Sequence, residues 1–172
     1  MQFDKVALVG VGLLGGSLGL ALRARRLAGH VAGHVRREAS VAECLARGAV
    51  DSASTRLEES VRGAALVVLC TPVGEMRAMA GAIAPLLEPG AVVTDVGSVK
   101  GSVMRDMADV LPRGVFVGSH PMAGSEQAGV ASARADLFEG ARCVVTPAEG
   151  GDEDAVTSVE HMWRSVGADV FR

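Results

Sequence analysis

The chain has 172 residues and a formal net charge of −3, with 49% hydrophobic and 3% aromatic residues. This length fits one domain, and the apolar fraction supplies a core and excludes a disordered chain. The mild acidity and the scarcity of aromatic rings argue against a nucleic-acid partner or an anionic membrane surface. No segment reaches the ~18 uninterrupted apolar residues of a membrane span.

Short apolar runs alternate with longer amphipathic segments along the whole chain. The Val-rich runs predict strands at 6–10, 31–35, 64–70, 91–96, 115–120, 143–147 and 168–171. Apolar residues spaced by three and four predict helices at 13–26, 38–47, 74–87, 98–110 and 152–166. Unbroken apolar runs of this length suit strands buried on both faces. The sequence therefore predicts one α/β domain over residues 1–172, built on a doubly wound, mostly parallel sheet.

Three glycines stand where the first predicted strand meets the first predicted helix. Gly10, Gly12 and Gly15 match G-x-G-x-x-G, with Leu13 and Leu14 between the last two. In this context the pattern is typical of a Rossmann fold, whose turn lets a pyrophosphate approach backbone N–H groups at a helix N-terminus. A turn that binds no nucleotide is the alternative. We expect these five residues to bind a nicotinamide dinucleotide.

The end of the second predicted strand bears on which dinucleotide binds. The position twenty residues after the last glycine is Val35, which cannot bind the ribose 2′-hydroxyl of NAD as a carboxylate would. Arg36 and Arg37 follow, and two guanidinium groups suit a 2′-phosphate. Glu38 begins the next predicted helix and is expected to point away. The sequence thus favours NADP over NAD, with solvated surface arginines as the alternative, and argues against an S-adenosylmethionine-dependent methyltransferase.

Two further motifs are more specific than the glycine pattern. D-V-G-S-V-K spans 95–100, and G-S-H-P-M-A-G-S-E spans 118–126. Together with G-L-L-G-G-S-L at 12–18 and with Thr71-Pro72, they resemble the prephenate/arogenate dehydrogenase family. The resemblance implies NAD(P)-dependent oxidative decarboxylation of prephenate or arogenate in tyrosine biosynthesis, and a cytoplasmic enzyme. It also implies a second, helical domain outside this chain that forms a homodimer and contributes to the substrate site.

Histidine is the side chain best suited to accept a proton near neutral pH. Of the four histidines, His120 alone lies at the carboxyl end of a predicted core strand, where ligands bind in open α/β sheets. The resemblance marks His120 as the hydrogen-bond partner of the substrate hydroxyl, and Ser98 as a second such group. A helix N-cap is the alternative role of Ser98. Lys100 is expected either to attract the anionic substrate or to be solvated.

The resemblance also assigns residues at the rest of the site. Thr71 and Pro72 directly follow a predicted strand, and in the family this turn lies near the nicotinamide ribose. A plain strand-ending turn is the alternative. Ser125 and Glu126 match positions near the side-chain carboxylate of the substrate. Glu126 is expected to hold an arginine from the second domain or to meet the amino group of arogenate, against the alternative of a solvated loop acid.

Two other functions are also consistent with the sequence. A second NADP-dependent enzyme of the β-hydroxyacid or imine reductase type shares the glycine turn and the Thr-Pro element. A non-catalytic NADP-binding regulatory module is the alternative outside enzymes. Cys44, Cys70 and Cys143 are widely spaced and show no zinc pattern, so we expect buried free thiols, no metal and a reducing cytosol.

Overall fold

The computed structural model describes residues 3–172. The strands of this part are β1 (Phe3–Val9), β2 (Ala28–His34), β3 (Ser52–Ser54), β4 (Leu66–Leu69), β5 (Val92–Asp95), β6 (Phe116–Pro121), β7 (Arg142–Thr146) and β8 (Asp169–Phe171). The helices are α1 (Leu13–Ala24), α2 (Glu38–Arg47), α3 (Leu57–Val61), α4 (Val73–Ile83), α5 (Lys100–Val110) and α6 (Glu153–Ser165). Each strand and helix predicted from the sequence is present, with boundaries displaced by a few residues.

The described strands form one sheet in the order β3-β2-β1-β4-β5-β6-β7-β8. Strands β1 to β6 pair in parallel, whereas β7 is antiparallel to β6 and parallel to β8. The strand order reverses between β1 and β4. This topology confirms the predicted doubly wound, mostly parallel sheet, in which ligands bind outside the carboxyl ends of the strands at the point of reversal.

Helices cover both faces of the sheet, which explains why its central strands are apolar along their length. All four residues of β4 are buried. On one face, α1 and α6 contribute Leu18, Leu22 and Trp163 to the core, and on the other α4 and α5 contribute Met76 and Met107. Within residues 3–172, none of the helices combines the length and apolar character that crossing a bilayer requires.

Two short elements, β3 and α3, were not predicted from the sequence. Strand β3 has the sequence S-A-S and pairs with β2 at the sheet edge, from Ala32↔Ser52 to His34↔Ser54. An edge strand needs backbone hydrogen bonds to one neighbour and no continuous apolar run. Helix α3 has only five residues, too few for a helical repeat to stand out.

The connection between β6 and β7, residues 122–141, packs against α1; we call it the β6–β7 connector. Its buried residues include Val130 and Ala133. A Cβ on Gly16 would lie 2.9 Å from Cβ of Ala133 and 3.0 Å from Cγ2 of Val130. Gly16 therefore lets the connector approach the first turn of α1 closely, beside the glycine turn.

The three cysteines are free thiols, as predicted. Cys44 and Cys143 are buried, whereas Cys70 at the end of β4 is half-buried. Burial raises the pKa of the Cys143 thiol to about 12 and also raises the pKa of the Cys70 thiol. Both thiols are therefore neutral at physiological pH.

Candidate functional site

The three glycines between β1 and α1 are required for different reasons. Gly10 has a φ of +98°, which disfavours any side chain. A Cβ on Gly15 would lie 2.1 Å from the carbonyl oxygen of Gly10, so the turn itself excludes it. A Cβ on Gly12 would meet nothing within 4 Å. The fold therefore does not require a glycine at position 12, and its bare backbone leaves room for a bound molecule.

Helix α1 presents an uncapped N-terminus to this turn. Its N-cap residue is Gly12, and no side chain of residues 3–172 caps it with a hydrogen bond. The N–H of Gly16 donates to the Gly12 carbonyl at 2.9 Å. The preceding N–H groups, together with the positive end of the helix dipole, favour an anion at this position.

A first cleft of about 350 Å³ opens beside the turn, at the carboxyl ends of β1, β2 and β4. It lies at the point where the strand order reverses. The charged and histidine side chains that line it are those of His34, Arg36, Arg37, Glu43 and Glu75. Gly129 and Val130 of the β6–β7 connector form part of its wall.

Two buried polar atoms in the wall of the first cleft have no hydrogen-bond partner in the described part of the chain. They are Nδ1 of His34 and Oγ1 of Thr71. Burial lowers the pKa of His34, so its ring is neutral at physiological pH. A buried polar atom without a partner costs about 1–3 kcal/mol. These atoms, and the open space at Gly12, fit a dinucleotide whose phosphates and ribose hydroxyls supply the missing partners.

Both predicted arginines line the first cleft, but acidic side chains lie there too. Nη1 of Arg36 donates to Oε1 of Glu75 at 3.3 Å, and Arg37 is the N-cap residue of α2. The Glu38 side chain bonds Thr55 instead, since its Oε1 accepts a hydrogen bond from Oγ1 of Thr55 at 2.6 Å. Glu75 was not predicted as a site residue, since it belongs to α4 and only the fold brings it opposite the end of β2.

A second cleft of about 390 Å³ lies further along the same sheet edge. Ser98 and His120 both line it, as do Leu14 and residues 70–72. Residues 70–72 line the first cleft as well. The two clefts are therefore neighbours that share the Thr71-Pro72 turn in their walls. The predicted arginines line the first cleft, and the predicted proton acceptor lines the second.

Ser98 is not the N-cap that the sequence allowed. Helix α5 begins at Lys100, its N-cap is Val99, and Ser98 is exposed beside the second cleft. Lys100 differs from both expectations for it, because its ammonium group is mostly buried and pairs with the carboxylate of Asp95. Neither a solvated lysine nor a free cation for an anionic substrate is present at this position.

Four of the cofactor and substrate residues predicted from the sequence line neither cleft: Leu13, Gly15, Ser125 and Glu126. Leu13 is the first residue of α1 and is absent from both linings. Ser125 and Glu126 are exposed on the β6–β7 connector. The Ser125 hydroxyl accepts a hydrogen bond from the N–H of Gln127 at 3.1 Å, which makes a local turn. The structure thus brings His120 and Ser98 together without Ser125 or Glu126.

Comparison with known proteins finds one family. The family model described as "Prephenate dehydrogenase, nucleotide-binding domain" matches residues 18–172. The chain is 35% identical over 167 residues to a prephenate dehydrogenase of Bacillus subtilis, covering 96% of this chain and 45% of that protein. The relatives are therefore about twice as long as the part that this chain matches.

Two solved structures give the same result. One is prephenate dehydrogenase from A. aeolicus in complex with hydroxyphenyl propionate and NAD⁺, with a TM-score of 0.91, 33% identity and coverage of 99% of this chain and 59% of the other. The second is arogenate dehydrogenase from Synechocystis, with a TM-score of 0.90, 32% identity and coverage of 97% and 58%. Similarity at this level extends over nearly the whole chain.

Proposed function

The chain belongs to the prephenate dehydrogenase family, and on that basis we propose that it is the nucleotide-binding domain of an enzyme that oxidises and decarboxylates prephenate or arogenate. One observation carries the proposal. Ser98 and His120 line a cleft that neighbours the glycine-turn cleft and shares residues 70–72 with it. A bound dinucleotide and a proton acceptor can therefore reach one substrate from two sides, as hydride transfer requires.

We assign the cofactor contacts to residues that line the first cleft. The backbone at Gly12 and the N-terminus of α1 bind the pyrophosphate. Arg36 and Arg37 bind the 2′-phosphate, which makes NADP the preferred cofactor over NAD. Thr71 contacts the ribose on the nicotinamide side through its unpartnered hydroxyl. When bound, the nicotinamide ring supplies the hydride acceptor.

His120 and Ser98 act on the substrate hydroxyl. In prephenate and arogenate this hydroxyl lies across the ring from a quaternary carbon that bears a carboxylate. His120 accepts the proton from the hydroxyl oxygen while the carbinol carbon loses its hydride, and Ser98 orients the oxygen by a hydrogen bond. The bond to the carboxylate then breaks, carbon dioxide leaves, and the electron pair completes an aromatic ring.

The substrate site also needs positive charge, because the substrate carries carboxylates. None of the described residues that line the second cleft is a lysine or arginine, and Lys100 is paired with Asp95. Val99 and Met122 are large apolar residues beside Ser98 and Pro121, and each is more than half exposed. These features, together with the greater length of the relatives, support a second domain that covers this edge and supplies the cations. We infer that the same domain forms a homodimer.

The test is His120→Asn in the complete enzyme. We expect NADP affinity to be kept, since the first cleft is untouched, and kcat to fall by ~10²–10⁴, the usual contribution of a positioned general base. His30→Asn is the matched control, because His30 lies on β2 outside both clefts and bonds Ser52.

Other outcomes separate the alternatives. If His120→Asn keeps the wild-type rate, another group accepts the proton, as expected for a reductase that uses a lysine of its second domain. If the complete protein binds NADP but turns over neither prephenate nor arogenate, it is a regulatory module. A lower melting temperature with normal turnover of the folded fraction would make His120 a packing residue.

A further inference from the structure

The sheet opens between β5 and β6 beside the second cleft. Their ladder ends at the pair Thr94↔Val117. The neighbouring ladders continue further toward the carboxyl edge, since β4–β5 pairing reaches Asp95 and β6–β7 pairing reaches Pro121. Backbone pairing therefore does not fix the distance between the last residues of β5 and β6.

The side chains of Asp95 and Lys100 bridge this opening. Asp95 is fully buried, and its Oδ1 accepts from the N–H of Ser119 on β6 at 3.0 Å. Its Oδ2 accepts from the N–H of Gly97 at 2.8 Å and from the ammonium group of Lys100. Nζ of Lys100 also donates to the carbonyl of Ser119 at 2.7 Å. The ion pair thus binds both backbone groups of Ser119, as a neighbouring strand would.

One glycine makes room for the bridge. A Cβ on Gly97 would lie 2.9 Å from Oδ2 of Asp95. Burial lowers the pKa of Lys100, and the charge of Asp95 opposes that shift. A buried ion pair is often no more stabilising than a well-packed apolar pair. The contacts of Asp95 and Lys100 with Ser119 therefore explain this pair better than stability does.

The bridge joins the two residues that the proposed function requires. Ser98 directly follows Gly97, and His120 directly follows Ser119, so each lies one residue from a backbone group that the bridge binds. We propose that Asp95 and Lys100 are positioning residues that set the separation of Ser98 and His120 across the open edge of the sheet. This inference rests on the proposed function, because it assumes that these two residues act on one substrate hydroxyl.

The test is a double-mutant cycle in the complete enzyme, with Asp95→Asn, His120→Asn and the double variant. If Asp95 acts through His120, Asp95→Asn lowers kcat by about 10²-fold, the effect of a displacement of about 1 Å at a reacting group. It leaves the Kd for NADP unchanged, and it adds little once His120 is replaced. Asp106→Asn is the matched control, because Asp106 is a carboxylate on α5 that pairs at the surface with Arg77.

The outcomes distinguish this inference from the proposed function. If the effects of Asp95→Asn and His120→Asn multiply, or if NADP affinity and kcat fall together, Asp95 supports the fold only and the inference is wrong. If His120→Asn keeps the wild-type rate, the proposed role of His120 is wrong as well. If Asp95→Asn does not fold, Lys100→Gln is the variant to use. It keeps the hydrogen bonds that the Asp95 carboxylate accepts from the N–H groups of Gly97 and Ser119. A loss of kcat at unchanged NADP affinity supports the inference, and unchanged kcat overturns it.

Discussion

Charge at the mouth of the first cleft is mixed, because Arg36 and Arg37 lie beside Glu43 and Glu75. Arg36 pairs with Glu75 at 3.3 Å, but its side chain is 81% exposed. Exposed pairs of this kind contribute about 0–1 kcal/mol, whereas a hydrogen bond to a charged group contributes about 1.5–3 kcal/mol. A 2′-phosphate in reach of Arg36 would therefore displace Glu75 from it.

Replacing both Arg36 and Arg37 with alanine should lower NADP affinity at least ~10-fold, because each charge-assisted bond is worth about 1.5–3 kcal/mol. NAD affinity should change little, since NAD lacks the 2′-phosphate. Calorimetric titration with each cofactor measures both. Arg56→Ala is the control, because Arg56 is exposed, pairs with Glu59 and lies outside both clefts. Equal losses for NAD and NADP would mean that the arginines support the fold or bind the pyrophosphate.

At the scale of elements, the site depends on how α1 begins. Gly15 lies against the carbonyl of Gly10, and Gly16 lies against the β6–β7 connector, so both positions are fixed by packing within the protein. Gly12 alone of these faces open space. The same short sequence thus contains glycines that packing requires and one that it does not.

Gly12→Ala and Gly15→Ala should therefore have opposite effects. Gly12→Ala should keep the melting temperature of the wild type and lose most of its dinucleotide affinity, because the added methyl group occupies the space of the pyrophosphate. Gly15→Ala should unfold at a lower temperature, since the overlap at 2.1 Å forces β1 and α1 apart. Thermal unfolding and cofactor titration of both variants check this pair. A stable Gly12→Ala protein with normal affinity would place the pyrophosphate elsewhere.

At the scale of the whole molecule, the topology brings distant motifs to one edge. The glycine turn follows β1, Thr71 follows β4, Ser98 follows β5 and His120 lies at the end of β6. Because these four strands are parallel neighbours, their carboxyl ends lie side by side. The first cleft at this edge is lined by the glycine turn and two arginines, whereas no described residue that lines the second cleft is a lysine or arginine.

Residues 1–172 alone should therefore bind NADP but turn over prephenate and arogenate poorly. The first cleft is formed within this chain, whereas the cations for the substrate come from the proposed second domain. Calorimetry on residues 1–172 measures NADP binding, and a kinetic assay beside the complete enzyme measures turnover. Full activity of residues 1–172 alone would contradict the requirement for a second domain.

The sequence by itself determined the fold class and the order of the long elements. Buried parallel strands must be apolar throughout, and amphipathic helices must repeat every three to four residues, so both leave strong local patterns. Edge strand β3 and the five-residue α3 leave none. The glycine turn and the two motifs around Ser98 and His120 could also be recognised in the sequence, because the chain needs particular residues at those turns.

Only the tertiary structure decided which side chains meet. Glu75 is 39 residues from Arg36 in sequence, and Lys100 pairs with Asp95 rather than with solvent or substrate. Gly16 is explained by a connector more than 100 residues later, and Ser125 and Glu126 line neither cleft. Contacts of this kind depend on where the sheet places each strand end, and no local pattern encodes that position. The sequence therefore predicted the chemistry available at this edge, and the fold determined its partners.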